Sequence, residues 1–461
     1  MRDYTNTPLQ LYSADFSLKT VIDVYDSFVW TDVYCGASDF ELKMPCSIAR
    51  NYNIKLGDYV QCFISKKVMI VEGMSVDYNQ TDATATYKGR SLESILTRRV
   101  MRKYDCPDIT PDIEEDTWYK AEIRSLWDSI RYVLERTIIK NTESETHAGL
   151  TSESRGVSLL GYVNPTISGI ANQNTPYVEF EGMTVYDYVN SVLSYFGYGW
   201  EIAFNPAGVD GIDNSDISNR KMLFRIYNGV KRTYNQVENE RVIFSSEDDS
   251  TFKMSTSIDI SSYGNSALVT GPHPILAIPS EEDPSAIEYV ENAAINIPTE
   301  IYNSVSGLDR YEIFVDASNI GNMDDRYGKP YPLDYIIAQM RFKAIQEVRA
   351  VMSGTSEYSP SVDYDPYKEY GIDYYIGDLA TVIDDFGNIN IVRVASFSHS
   401  LDSGGYKGYP NFETIAPIGG YRVIEQTTLG GEDIARAMEV EEAVRVTEQN
   451  NLDLFDDTDI T

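Results

Sequence analysis

Histidine and cysteine are both rare in this chain of 461 residues, which contains three histidines and four cysteines. The cysteines lie in the first quarter of the sequence, without a C-x-x-C pair or the clustered spacing of a secreted disulfide scaffold. They are Cys35, Cys46, Cys62 and Cys106. This usage predicts free, buried thiols and disfavours both a disulfide framework and a cysteine-ligated metal site.

Long apolar runs are also missing. No stretch reaches the roughly 20 apolar residues that a membrane-spanning helix needs, and residues 1–5 lack the basic and then apolar layout of a signal peptide. We therefore expect a soluble protein without a membrane-spanning segment. Its length indicates about two to four domains, and its 42% content of apolar residues is enough for well-formed cores.

Basic residues are outnumbered, 38 against 71 acidic ones, and the formal net charge is -33. Phosphate-backbone binding requires clustered Lys and Arg side chains that replace condensed counterions, so this chain is predicted to bind nucleic acid poorly and without specificity. Repulsion would suit a conduit through which DNA passes without sticking. The same charge would equally keep a large assembly in solution, and both interpretations stay open.

The three histidines lack the context of a catalytic site. His147 lies in a polar loop, His273 lies between two prolines, and His399 ends a serine-rich strand. The sequence contains no G-x-S-x-G, H-E-x-x-H or G-x-x-x-x-G-K-[ST] motif. We therefore predict no catalytic residue, no cofactor-binding residue, no metal ligand and no cofactor.

Acidic residues are too numerous for their pairs to identify a site. Residues 114–115, 247–249 and 324–325 could supply the two carboxyls of a glycosidase, but sequence neighbours need not converge on one bond. Residues 363–366 begin like a calcium loop, yet Tyr367 and Lys368 stand where an EF-hand requires an oxygen ligand and glycine. A structural calcium ion in another acidic loop is left open.

One pattern occurs twice, more than three hundred residues apart. An apolar-Gly-Asp entry is followed by an apolar run and then by Tyr-Lys-Gly, in the same order and at similar spacing. The residues of this duplicated motif are Gly57, Asp58, Tyr87, Lys88 and Gly89 in the first copy and Gly377, Asp378, Tyr406, Lys407 and Gly408 in the second. Glycine supplies the positive φ of a tight turn, and aspartate accepts hydrogen bonds from the turn backbone. The motif therefore predicts two related β units, although similar strand entries occur in many unrelated small barrels.

The remaining pattern divides the chain into four parts. Short alternating strands predict a first β-barrel domain over residues 1–105, and helical spacing mixed with strands predicts an inserted α+β module over 106–250. A second β-barrel domain over 251–425 includes a helix at 332–352. Residues 426–461 are predicted to form an acidic C-terminal helix or tail.

Helix boundaries are marked by caps. Ser91 is predicted to cap a short helix, and Thr184 with Asp187 resembles a capping box that opens a helix ended by Gly197. A further helix is predicted over residues 123–134. An acidic, proline-containing loop is predicted at 272–298.

Seven blocks, in order, resemble a family of tail proteins from long-tailed phages of Gram-positive hosts. They are residues 40–42, 56–60, 69–73, 89–96, 242–245, 263–269 and 370–378. The resemblance spans about residues 10–418. That family looks related to the baseplate hub of contractile tails and to the N-terminal domain of tail-associated lysins.

The resemblance implies an α+β, mainly β fold with two similar tube-type β-barrel domains, an inserted α+β module and peripheral helices. It further implies a homotrimeric tail hub in the virion, at the tail tip, assembled in the host cytoplasm. Two barrels in each of three copies would form a pseudo-sixfold ring that matches a hexameric distal tail or tail-tube protein. Tape-measure, receptor-binding and other tail-tip subunits are the further partners, and passing DNA would not be bound specifically.

Tail-associated lysins continue into long fibre-binding or lytic regions, whereas this chain stops soon after the second barrel. The resemblance therefore assigns lytic and receptor-binding work to other subunits and predicts a protein that is not an enzyme. Two alternatives stay open. One is a surface β protein that binds or cleaves glycans, and the other is a hub of a phage-derived secretion or bacteriocin particle.

Overall fold

The computed structural model describes most of the chain before residue 415. The described residues are 7–78, 83–101, 110–111, 119–120, 125–139, 156–167, 170, 183–204, 220–245, 252–258, 261–273, 275–279, 287–291, 300–302, 306–324, 329–331, 333–353, 356–363, 368–383 and 389–414. The predicted acidic tail, His147, the acidic pair 114–115 and the segment 364–367 lie outside them.

The described residues are mainly β, with four α-helices. The strands are β1 Leu9–Tyr12, β2 Leu18–Ile22, β3 Ser27–Val33, β4 Asp39–Pro45, β5 Tyr59–Cys62, β6 Val68–Tyr78, β7 Ala83–Ser91, β8 Thr110–Pro111, β9 Tyr119–Lys120, β10 Leu160–Tyr162, β11 Gly199–Phe204, β12 Met222–Tyr227, β13 Ile243–Ser245, β14 Phe252–Ile258, β15 Ser266–Thr270, β16 Ile275–Pro279, β17 Ile287–Glu291, β18 Glu300–Tyr302, β19 Glu312–Asp316, β20 Met323–Asp324, β21 Lys329–Pro330, β22 Ser356–Asp363, β23 Leu379–Ile383, β24 Ile389–Asp402 and β25 Gly405–Thr414. The α-helices are α1 Cys46–Tyr52, α2 Leu126–Leu134, α3 Val185–Tyr195 and α4 Leu333–Ser353.

Thirteen strands form one sheet. Its order is β14-β22-β25-β24-β3-β4-β7-β6-β5-β1-β2, with β23 paired to β24 and β13 paired to β23. We call β1–β7 the first strand unit and β13, β14 and β22–β25 the second. The sequence predicts two separate barrels, but β24 pairs with β3 and joins the units edge to edge. Within the described residues this sheet keeps open ends at β14 and β2, and neither unit closes into a barrel.

Each unit has its own apolar core. Trp30, Leu42 and Val60 are among the buried residues of the first unit, and Phe244 and Val392 are among those of the second. Alternation along β4 explains the first core, because every second residue of a strand faces the same side and Phe40, Leu42 and Met44 are buried in turn.

The middle module packs α2 and α3 on a three-stranded sheet of order β10-β12-β11. Thr184 caps α3 as predicted, since its hydroxyl accepts a 3.1 Å hydrogen bond from the Asp187 amide. Gly197 follows the helix at φ 73°, which confirms the left-handed stop. The helix predicted from residue 123 is described from Leu126 and continues into a π-helical turn at Glu135–Ile139.

Three other expectations need correction. Ser91 does not cap a helix, because its hydroxyl accepts the Ser38 amide at 2.8 Å, and Leu92–Arg98 is a 3-10 helix. The predicted loop at 272–298 contains the antiparallel pair β16 and β17. Helix α4 agrees with its prediction to within a residue at each end, but Leu333 is exposed and does not join the apolar face.

Candidate functional site at the junction of the strand units

The first Gly-Asp pair forms a tight turn that leads into β5. Gly57 has φ 87°, a conformation that residues with a Cβ seldom adopt. Its amide donates to the Val71 carbonyl at 2.8 Å, and the Val71 amide donates to the Asp58 carbonyl at 2.9 Å. The Asp58 carboxylate accepts the Lys55 amide at 2.8 Å and so holds the turn from inside.

The second Gly-Asp pair repeats this geometry before β23. Gly377 has φ 91°, and its amide donates to the Val394 carbonyl at 2.7 Å. The Val394 amide donates to the Asp378 carbonyl at 3.0 Å, and the Asp378 carboxylate accepts the Tyr375 amide at 3.1 Å. Residue for residue, the two turns make the same hydrogen bonds.

Each buried aspartate also holds a cation that the sequence motif does not contain. Lys19 Nζ lies 2.6 Å from Asp58 Oδ2, and Arg232 Nε lies 2.8 Å from Asp378 Oδ2. Asp378 accepts one additional bond, from the Val230 amide at 2.7 Å. A buried carboxylate needs such partners because it has lost its water.

The likeness extends from the turns into the strands. The β6·β7 ladder has a bulge between Val71 and Gly73, and the β24·β25 ladder has one between Val394 and Ser396. In both units the valine that bonds the Gly-Asp turn immediately precedes the bulge. The two bulges therefore align β6 with β24, with Val71 equivalent to Val394.

The two Tyr-Lys-Gly segments do not share this equivalence. Gly89 lies opposite Val71 in β7, whereas Gly408 lies opposite His399 in β25, and Phe412 is the residue opposite Val394. Tyr87 and Lys88 therefore stand at other register positions than Tyr406 and Lys407. The structural equivalent of Gly89 is therefore Phe412, four residues after the Gly408 that the sequence motif pairs with it.

A buried polar network crosses the joint between β3 and β24. Its centre is Asp32, which is 2% exposed. The carboxylate accepts hydrogen bonds from Ser65 Oγ at 2.6 Å, Trp30 Nε1 at 3.2 Å and, from the second unit, Tyr370 Oη at 3.0 Å. A buried carboxylate with three donors is well satisfied, so the network ties the two units together at a specific place.

His399 borders this carboxylate on the second unit. Its Nε2 lies 3.9 Å from Asp32 Oδ2, and its Nδ1 shares a 2.7 Å hydrogen bond with the Tyr406 hydroxyl. Burial raises the pKa of the Asp32 carboxyl, but His399, Ser65 and the Lys67 charge together outweigh burial and hold that pKa below its ordinary value.

Lys67 and Glu93 form a buried ion pair near Asp32. Lys67 Nζ and Glu93 Oε1 are 2.5 Å apart, at 3% and 0% side-chain exposure, and the Ile202 amide also donates to Glu93 at 3.2 Å. Burial lowers the pKa of Lys67, whereas the charges of Glu93, Glu201 and Asp32 raise it, and the net pKa lies above its ordinary value. The bond from the Ile202 amide to Glu93 connects the first unit with the middle module.

Tyr34 packs where the two units and the middle module meet. Its hydroxyl donates to the Gly197 carbonyl at 3.1 Å, and the Arg393 guanidinium lies 4.9 Å from its ring centroid. A Cβ at Gly199 or Gly377 would approach the ring to 2.2 or 2.3 Å. Glycine is required at both positions because the aromatic ring occupies that space.

A cavity of about 540 Å³ opens beside the network. Asp32, Lys67 and Glu201 are buried in its wall, and the Lys66 ammonium lies 4.3 Å from the ring centroid of Tyr375, another wall residue. Its acidic residues are Asp32, Glu201 and Asp378, and its basic residues are Lys66, Lys67 and Arg225. The wall therefore carries three acidic and three basic residues, and it is built from both strand units and the middle module.

Sequence reasoning missed most of this junction. Asp32 and Ser65 belong to no motif. Tyr370 begins the family-like block 370–378 but had no predicted role there, and its bond to Asp32 spans 338 positions. His399 is buried at the joint, while the His273 carbonyl accepts a bond from Asn322.

Cys35, Cys46 and Cys62 are free thiols. No group of three or more His, Cys, Asp or Glu side chains that could hold a metal occurs among the described residues. Likewise, none of the described helices is both long and apolar enough to span a membrane.

A family model described as Siphovirus ReqiPepy6 Gp37-like protein matches residues 154–410, more than half of the chain. The chain therefore belongs to the Siphovirus ReqiPepy6 Gp37-like family. Siphoviruses are long-tailed phages, so the membership confirms the predicted link to that class.

Solved structures of tail proteins are similar to the chain at low identity. The tail protein from Neisseria meningitidis MC58 shares 10% identity with a TM-score of 0.47, over 89% of this chain and 97% of that one. Prophage tail protein gp18 from Listeria monocytogenes EGD-e shares 9% identity with a TM-score of 0.43, over 89% and 95% of the two chains. A comparison with curated proteins gives no match.

Proposed function

We propose that this protein is a structural subunit of a phage tail, without enzymatic activity, that assembles as a trimeric tail hub or distal tail component. The observation that carries the proposal is the repetition of one turn, one carboxylate clamp and one bulge in two strand units of the same chain. The Gly57-Asp58 and Gly377-Asp378 turns mark equivalent places in these units.

Symmetry gives the duplication its use. A ring of three identical chains offers three identical contacts, and two similar units in each chain turn these into six similar ones. The two strand units would act as equivalent β elements of a pseudo-sixfold ring. Such a ring can dock a hexameric tail-tube or distal tail partner without a symmetry mismatch.

The joint between the units must be firm if they are to alternate around a ring. The β3·β24 pairing and the Asp32 network join the units within one chain. Tyr34 and Glu93 fasten the middle module to the same joint through hydrogen bonds with Gly197 and Ile202. A ring subunit with these contacts would keep the angle between its two units constant.

The charge of the chain suits a conduit. A net charge of -33 disfavours binding to the DNA backbone, so DNA would pass the hub without specific contacts. Tape-measure, receptor-binding and other tail-tip subunits are the expected neighbours in the virion, and assembly would occur in the host cytoplasm.

The proposal is tested by the native mass of the purified full-length chain, measured by light scattering during size-exclusion chromatography. We expect three times the 52.0 kDa of one chain, and averaged cryo-EM views along the ring axis with six similar lobes. A monomer that hydrolyses or binds cell-wall polysaccharide would contradict the proposal. A basic lumen in the reconstructed ring would contradict the conduit alone.

A further inference from the structure

Strand β24 is divided between two neighbours along one edge. Its first part, up to Arg393, pairs with β23. Past the bulge, the part from Ser396 to Leu401 pairs antiparallel with β3 of the other unit, with Ser396 opposite Val33 and Leu401 opposite Phe28. This second part makes the contact that joins one strand unit to the next.

Strand β6 is the equivalent of β24, but the other described strands cover only the first part of its edge. Its residues up to Ile70 pair with β5. Beyond the bulge, residues 73–78 pair with β7 on one side and with no strand of the described residues on the other. Residues 73–78 are equivalent to residues 396–401, which form the joint in the second unit.

The uncovered part of β6 is apolar in alternation and exposed. Met74, Val76 and Tyr78 are 56%, 43% and 78% exposed, while Ser75 and Asp77 separate them. Alternation of this kind normally places the apolar residues of a strand against a core. An open edge with such residues is also a template for pairing with another chain.

The structure also defines which strand corresponds to β3. In the first unit β3 pairs with β4, and β4 pairs with β7. In the second unit β14 pairs with β22, and β22 pairs with β25. Strand β14 therefore holds the position of β3, and among the described strands its other edge has no partner.

We propose that residues 74–78 of β6 pair antiparallel with β14 of a second copy of this chain, and so repeat between chains the β24·β3 joint within a chain. Carrying the register of that joint through the ladders places Met74 opposite Ile258, Val76 opposite Thr256 and Tyr78 opposite Met254. The inference rests on the proposed trimer and specifies its contact.

The sequence of β14 fits this register. Met254 and Ile258 would stand beside Tyr78 and Met74, and cross-strand apolar pairs stabilise a sheet. Each copy would present β6 to one neighbour and β14 to the other, which is a head-to-tail contact that closes when the rotation allows it. Three copies with two units each give six joints, three within chains and three between them.

Disulfide trapping tests the register directly. In full-length protein with Cys46→Ser and Cys106→Ser, the pair Val76→Cys and Thr256→Cys is oxidised and run on a non-reducing gel. Opposed residues of antiparallel strands have Cα atoms about 4.5–5.5 Å apart, within disulfide range. We expect the single-chain band to shift to two-chain and three-chain bands. Burial raises the pKa of the remaining Cys35 and Cys62 thiols to about 12, which disfavours their exchange at neutral pH.

The matched control replaces Thr256→Cys by Ser257→Cys. The next residue of a strand faces the other side of the sheet, so this pair should stay in the single-chain band. A second measurement uses Val76→Asp, which should lower the trimer fraction, against Val237→Asp at an 87% exposed loop position, which should not.

The outcomes separate the inference from the proposed function. A trimer of native mass in which the Val76→Cys, Thr256→Cys pair does not cross-link, and in which Val76→Asp changes nothing, overturns the strand pairing and leaves the trimer standing. A parent protein that stays at the mass of one chain overturns both. Cross-linking of the Ser257→Cys control to the same extent would also overturn the register.

Discussion

Tyr370 of the second strand unit donates a 3.0 Å hydrogen bond to the buried carboxylate of Asp32 in the first, across 338 positions of sequence. The bond lies beside the β3·β24 ladder, where His399 and Trp30 are directly opposite one another. A hydrogen bond to a charged, buried acceptor contributes more than one between neutral groups. The joint between the two units is thus held by a backbone ladder and by a polar contact with a defined partner.

Removal of this contact should weaken the protein without changing its shape. Tyr370→Phe deletes one donor to Asp32, and we expect a loss of about 1–3 kcal/mol in the free energy of unfolding. Urea denaturation followed by tryptophan fluorescence measures it. Tyr409→Phe, at a position 37% exposed, is the control and should lie within about 0.5 kcal/mol of the parent. Equal losses in the two variants would contradict the role of the Tyr370 hydroxyl.

The two Gly-Asp turns should respond alike to loss of their carboxylates. Asp58→Ala and Asp378→Ala each remove a charged acceptor of a backbone amide and of a cation. We expect about 2–3 kcal/mol for each, with the larger value for Asp378 because it also accepts the Val230 amide. Thermal and urea unfolding measure both, with the exposed Asp309→Ala as a control that should show little change.

Comparison of Gly57 with Gly377 separates the cost of a strained backbone from the cost of a steric clash with Tyr34. Both have positive φ, so alanine at either position is strained by about 1–2 kcal/mol. At Gly57 the space for a Cβ is empty, whereas at Gly377 a Cβ would lie 2.3 Å from the Tyr34 ring. We expect Gly377→Ala to cost at least about 1 kcal/mol more than Gly57→Ala. Equal costs in unfolding experiments would show that Tyr34 moves aside freely.

The Asp32 carboxyl should make the free energy of unfolding decrease at low pH. Its pKa in the folded protein lies below the ordinary value, so its contribution is present above the unfolded pKa near about 3.9 and is lost as the pH falls through the folded pKa. Asp32→Asn should therefore start from lower stability at pH 7 and lose less between about pH 5 and pH 2 than the parent. Unfolding free energies across this range measure the slope, which the Asp309→Asn control should leave unchanged.

Local patterns in the sequence were enough to locate several elements. Thr184 and Gly197 bound α3 at its two ends, because caps act on backbone groups a few residues away. The alternation along β4 identified its buried face in the same way. Gly57 and Gly377 were identifiable because a positive φ restricts the residue type wherever the turn occurs.

Similar residues at similar spacing did not predict which positions of the two strand units are structurally equivalent. The Tyr87-Lys88-Gly89 and Tyr406-Lys407-Gly408 segments look equivalent in sequence, yet the ladders place Gly89 and Gly408 at different registers. Strand register is set by hydrogen bonds and bulges between strands. Spacing along the chain does not determine it, since loops of different length precede each strand.

By itself the sequence determined a mainly β chain with two Gly-Asp turns, the capped helix α3, few thiols and a large negative charge, because these properties follow from residue types and from neighbours within a few positions. Only the tertiary structure decided that the units share one sheet through β3 and β24, that Asp32 meets Tyr370, and that among the described strands β6 keeps an open edge equivalent to the joint. Each of these depends on contacts between residues far apart in the chain, and their geometry exists only after the strands have paired.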